Sequence, residues 1–203
     1  MPVYYFEMLG TAVFAITGVL VVSRRGLDVF GALVLGVVTA LGGGTVRDVI
    51  IRAPIFWIED LNYVWAALAG ALVAFATAPR LSTASRVLLY LDAVGAALFA
   101  IAAANKVLIL HFAGPVAVIM GVLTGIGGGL LRDVLAGRPT LLMSRDIYAT
   151  PILLGCALFV ALHDVTPRAG VICFAAICGL RALAIYRHLE MPAWLTHRDD
   201  STG

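Results

Sequence analysis

A 19-residue segment, GVVTALGGGTVRDVIIRAP from Gly36 to Pro54, returns 85 positions later as GVLTGIGGGLLRDVLAGRP from Gly121 to Pro139. At the same offset Glu7 falls on Asp92, Gly10 on Gly95, Phe14-Ala15-Ile16 on Phe99-Ala100-Ile101 and Tyr63 on Tyr148. Self-similarity at a fixed period means that the chain is built from two copies of one structural unit. What that unit is follows from composition. Of the 203 residues, 62% are hydrophobic and 13% charged, with a mean hydropathy of +1.01. A soluble domain has about 45 to 50% apolar and about 25% charged residues, so this chain cannot cover a water-facing surface. It reads as an all-α membrane protein.

Runs of apolar residues bounded by charge or Pro give seven spans, at residues 4–22, 29–51, 61–78, 86–104, 107–135, 147–162 and 168–187. A helix needs about 20 such residues to cross the hydrocarbon layer. The runs are continuously apolar rather than alternating, which excludes membrane-spanning β-strands. The first 22 residues lack the basic start of a secretory signal and outrun its apolar core, so a retained first helix is expected. The 85-residue offset places three spans in each copy. Because three is odd, the second copy enters the membrane from the opposite side, and the copies have inverted topology. Residues 4–78 form one repeat, 86–162 the other, 168–187 an unpaired seventh helix and 189–203 a short tail. Inverted repeats place a substrate or ion pathway at their interface, near the bilayer midplane.

Arginine and lysine set the orientation. One side collects Arg24, Arg25, Arg80, Arg86, Arg138, Arg145, Arg187 and Arg198; the other collects Arg52, Lys106 and Arg168. The positive-inside rule places the N-terminus outside and the tail in the cytoplasm.

The residues with functional potential cluster in the duplicated segment. Gly42, Gly43 and Gly44 match Gly127, Gly128 and Gly129. Each helical Gly costs about 1 kcal/mol against Ala, so three together need a reason. One reason is close helix packing through small residues. The other is a kink that turns backbone groups toward a wet path, and the duplication favours the kink. Arg47-Asp48 and Arg132-Asp133 follow each triplet; they either face an aqueous cavity or one another, or sit at helix ends with the Arg snorkelling outward. Glu7 and Asp92 are placed to attract cations at two mouths, or simply favour helix N-termini. Thr39 and Thr124 offer hydroxyls to an ion or to the carbonyl one turn back.

Other chemistries find no support in the sequence. No Lys-Ser/Thr follows the triplets, so they are not phosphate loops. Cys156, Cys173 and Cys178 lack metal spacing and read as core residues. His111, His163, His188 and His197 have no partner at ligand spacing, so no haem or zinc is expected. No nucleophile, base and oxyanion donor can be assembled into an enzyme site. The net charge of +2 gives no reason to expect nucleic acid.

The motifs Gly42-Gly43-Gly44-Thr45-Val46-Arg47-Asp48 and Gly127-Gly128-Gly129-Leu130-Leu131-Arg132-Asp133, in a frame of seven spans, resemble the prokaryotic trimeric intracellular cation (TRIC) channel family. The resemblance covers nearly the whole chain, from Tyr4 to about His188. It implies a homotrimer in a prokaryotic cell membrane, each subunit with its own pore for monovalent cations, chiefly K+ with Na+ also passing. It further implies that the second and fifth spans kink at their glycines and line that pore, with Arg47 and Arg132 nearby. Membrane lipid is an expected partner and no cofactor is implied. The same sequence domain also carries the label of a glycine transporter, which keeps a carrier of a small solute as the alternative.

Overall fold

The computed structural model describes residues 2–23, 28–81, 85–144 and 146–189. Arg24, Arg25, Arg145, Arg198, His197 and the tail from residue 190 lie outside the described residues, as does the side chain of Arg80. The helices are α1 (Pro2–Val22), α2 (Val29–Ile50), α3 (Phe56–Glu59), α4 (Asn62–Leu81), α5 (Ser85–Ile109), α6 (Gly114–Leu135), α7 (Ala149–Leu162) and α8 (Ala169–Arg187), with a 3-10 turn at Leu141–Met143. Helices α1, α2, α5, α6 and α8 are long and apolar enough to cross a membrane, and α4 and α7 carry shorter apolar stretches. The seven spans therefore correspond to α1, α2, α4, α5, α6, α7 and α8. The short α3 and the 3-10 turn begin at Phe56 and Leu141, again 85 residues apart.

Two boundaries differ from expectation. The fourth span continues to Ile109 and the fifth starts at Gly114 rather than at residue 107. Lys106 is thus no loop residue but the basic group in the last turn of α5, where a cation favours the negative end of the helix dipole. The chain then reverses at His111, whose φ is 60°, and re-enters through Pro115 in the first turn of α6, a position that needs no N–H.

The repeats meet through α1 against α5 and α2 against α6. In both pairs the helices run antiparallel. Gly10 faces Leu98 and Phe99 while Gly95 faces Phe14; Gly43 faces Thr124 and Gly128 while Gly128 faces Thr39. As one helix advances, its partner's contacting residues retreat, which is the signature of two copies inserted in opposite directions. Phe14 and Phe99, equivalent by repeat, stack with centroids 5.4 Å apart and planes 15° from parallel. Each ring rests on the other copy's glycine. Helix α5 is the most enclosed, because the buried run of Ala96, Ala97, Ala100, Ala102, Ala103 and Ala104 lets α1, α6, α7 and α8 approach. Helix α8, without a repeat partner, packs on the outside against α5 and α7.

Candidate functional site

At the centre of the repeat interface α2 and α6 cross backbone on backbone. A Cβ placed on Gly43 would lie 2.6 Å from the Thr124 carbonyl oxygen and 3.1 Å from the Gly128 nitrogen. A Cβ on Gly128 would collide with the Thr39 carbonyl oxygen, and one on Gly127 would lie 3.2 Å from Gly43 Cα. The outer members of the triplets face side chains: Gly42 meets Leu131, Gly44 meets the Phe56 ring, and Gly129 meets Asp92 and Tyr148.

The triplets therefore do not unwind their helices. Both α2 and α6 run through them as continuous α-helix. The physical reason is that a broken helix strands carbonyls and amides where water is scarce, at several kcal/mol each, whereas an unbroken Gly helix costs only about 1 kcal/mol per residue and gains the close crossing. Thr39 and Thr124 belong to the same packing. Their hydroxyls donate to the carbonyls of Leu35 and Met120, each at 2.6 Å, and both residues are buried.

On either side of the crossing lies a buried cluster of charge, one per repeat. In the first, the Arg47 guanidinium donates Nε to Asp48 Oδ1 at 2.8 Å and Nη1 to Glu7 Oε1 at 3.4 Å. The Tyr63 hydroxyl donates to Glu7 Oε2 at 2.8 Å, and Lys106 Nζ to Asp48 Oδ1 at 2.9 Å. In the second, Arg132 donates to Asp133 at 2.9 and 3.2 Å, to Asp92 Oδ1 at 2.7 Å and to the Thr17 hydroxyl at 3.1 Å. Arg47 is 1% exposed and Arg132 0%, so neither snorkels, although each stands in the last turn of its helix. Each faces its own copy's carboxylate, the alternative in which intramembrane charges pair with each other. Glu7 is the sixth residue of α1 and Asp92 the eighth of α5, past the first turn of either helix, so the helix-start reading does not hold, and both are engaged by arginine.

The clusters lie toward opposite ends of the bundle. Antiparallel crossing at the triplets separates Arg47 and Arg132 by about nine residues of axial rise, roughly 13 Å. Their charge balance differs. The first holds Arg47 and Lys106 against Glu7 and Asp48; the second holds Arg132 alone against Asp92 and Asp133. The position equivalent to Lys106 in the first repeat is Val21, which explains why only one cluster has the second cation.

Asp48 and Asp133 have a task not anticipated from the sequence. Their second oxygens accept the Phe56 and Leu141 amides at 3.0 and 3.2 Å, tying the start of α3 and of the 3-10 turn back to the last turn of the preceding helix. The signal was present in the matching Pro54 and Pro139, which stop each helix and force the chain to turn. Tyr63, Lys106 and Thr17 were also missed as members of the clusters. Tyr63 and Tyr148 stood out only as a repeat pair.

Comparison with known proteins agrees with this architecture. The profile of a family described as "Glycine transporter" matches the chain twice, over residues 4–79 and 89–164, one match per repeat. The UPF0126 inner membrane protein YadS of Escherichia coli K12 is 37% identical over 201 residues, spanning 96% of this chain and 97% of its own. A UPF0126 membrane protein of Vibrio cholerae serotype O1 is 42% identical over 154 residues, 75% of this chain and 64% of that protein. Among solved structures, the TRIC trimeric intracellular cation channel orthologue from Rhodobacter sphaeroides superposes with a TM-score of 0.88 at 41% identity, over 92% of this chain and 98% of that one. With the duplicated glycine crossing and its flanking charge clusters in the same frame, the chain belongs to the prokaryotic TRIC (UPF0126) family of multi-pass membrane proteins.

Proposed function

We propose that the protein is a channel for monovalent cations, passing K+ and also Na+, with one pore in each subunit of a homotrimer. The observation that carries this reading is the pair of repeat-related charge clusters, Glu7-Arg47-Asp48 and Asp92-Arg132-Asp133, set into opposite ends of the bundle around the glycine crossing. A chain that only needed to fold in lipid would avoid burying six ionised groups, since each costs several kcal/mol to desolvate. Likeness to a solved cation channel over almost the full length supports the same reading.

The path follows α2 and α6, past Thr39 and Thr124, with the triplets at its narrowest point. With no side chains at Gly43, Gly127 and Gly128, the two backbones separate or slide without rotamer collisions, which suits a constriction that opens. The carboxylates of each cluster offset its arginine charge, so a cation meets no net barrier there. The N-terminus faces outward and the tail faces the cytoplasm of a prokaryotic cell whose plasma membrane holds the protein.

A second reading, a secondary transporter of a small solute such as glycine, is favoured by the description of the matching family. Proteoliposomes separate the two. Vesicles loaded with K+ and a potential-sensitive dye are expected to polarise when the protein is present, with no uptake of labelled glycine. Glycine accumulation driven by an ion gradient, without passive K+ flux, would replace the channel by the carrier.

A further inference from the structure

Arg181 of α8 is a buried charge that neither cluster uses. It is 2% exposed and forms no ion pair among the described residues. Its Nη1 donates to the Ile147 carbonyl at 2.8 Å and its guanidinium lies 4.6 Å over the Tyr148 ring, but Nε has no partner among the described residues. Burying a guanidinium without an anion is costly, so what it faces matters. It lines a cavity of about 50 Å³ together with Arg86, His188, Asp146, Leu89 and Ile185. By volume the cavity holds about four water-sized atoms, which matches a small oxyanion. Arg86 lies in the first turn of α5 and His188 caps α8, so the cavity sits at one end of the bundle, where lipid headgroups meet water.

Two arginines against one carboxylate leave the cavity with an excess of positive charge, and guanidinium groups are suited to phosphate oxygens through charge-assisted, bidentate bonds. We propose that this cavity binds a phosphate-type oxyanion, carried by a lipid headgroup or free in solution, with Arg181 and Arg86 as its ligands and His188 at the rim. The site adjoins the second charge cluster. Tyr148, on which Arg181 rests, borders Gly129 together with Asp92. The proposal concerns binding and stands whether the protein is a channel or a carrier.

The test uses the full-length protein in neutral detergent, with two probes. Native mass spectrometry compares retention of phosphatidylglycerol with phosphatidylcholine, and thermal unfolding is followed with inorganic phosphate alone. Selective retention of phosphatidylglycerol that phosphate does not displace assigns a lipid headgroup. A rise in the unfolding midpoint with phosphate alone assigns the free anion. Arg86→Gln, at an exposed position that tolerates change, is expected to weaken either binding by about tenfold, the loss of one charge-assisted bond. Arg181→Lys keeps the charge but not the fork and is expected to weaken it as well. Binding of neither probe, or equal binding by the parent and both variants, overturns the proposal.

Discussion

Adding one methyl group at the helix crossing tests whether the triplets are a packing device. In Gly43→Ala the new Cβ would lie 2.6 Å from the Thr124 carbonyl oxygen, against an ordinary contact that begins at 3.4 Å. The obstacle is backbone and cannot swing aside, so α2 and α6 must part by about 0.8 Å across their length of contact. Overpacking costs about 1–3 kcal/mol, and a backbone obstacle belongs in the upper half of that range. Replacing Gly in a helix returns about 1 kcal/mol, leaving a net loss of about 1–2 kcal/mol. Gly128→Ala is the repeat-related change, with a collision against the Thr39 carbonyl and the Phe14 ring, and should lose at least as much. Gly179→Ala is the control, since nothing lies within 4 Å of its added Cβ. Thermal unfolding in detergent, read by tryptophan fluorescence, reports the difference at about 2–4 °C per kcal/mol for a chain of this size. If Gly43→Ala and Gly128→Ala unfold no earlier than Gly179→Ala, the crossing is not held by backbone contact and the packing argument fails.

The clusters predict unequal arginines. Arg132→Ala leaves Asp92 and Asp133 buried without a cation and should cost about 3–5 kcal/mol; Arg47→Ala should cost clearly less, because Lys106 still neutralises Asp48 and the Glu7 side chain is 12% exposed. The same unfolding assay checks this, and equal losses would contradict the charge ledger. Orientation is checked by cysteine labelling in whole cells, with a cysteine at position 2 expected to react from outside and one at position 200 only after permeabilisation. Chemical crosslinking in detergent is expected to stop at a trimer, and a limit at dimers would count against one pore per subunit of three.

The topology was legible because its evidence is arithmetic. Equivalent residues 85 apart over an odd number of spans dictate two antiparallel copies, and Phe14 on Phe99 with Gly43 on Gly128 meets that expectation in contacts. The close crossing at the triplets was not legible, because three glycines serve a kink as well as a crossing and the duplication pointed to the kink. The decision lies in what faces them, the Thr124 and Thr39 carbonyls, which sequence spacing does not show. Arg47 and Arg132 were visible as unusual, but their partners stand 40 residues earlier on another helix. Lys106 was misplaced because the apolar run continues through residues 107–110 and hides the turn at His111. Arg181 falls within the seventh span, and only packing shows that it meets Tyr148 and lines a cavity.

The central claim, a cation-selective path through the subunit, is tested most directly by single-channel recording of the purified protein in a planar bilayer under asymmetric KCl. The account predicts unitary current steps with a reversal potential close to that of K+, shifting little when Na+ replaces part of the K+. A reversal potential at that of Cl−, or a flux without unitary steps that saturates with added glycine, would contradict it.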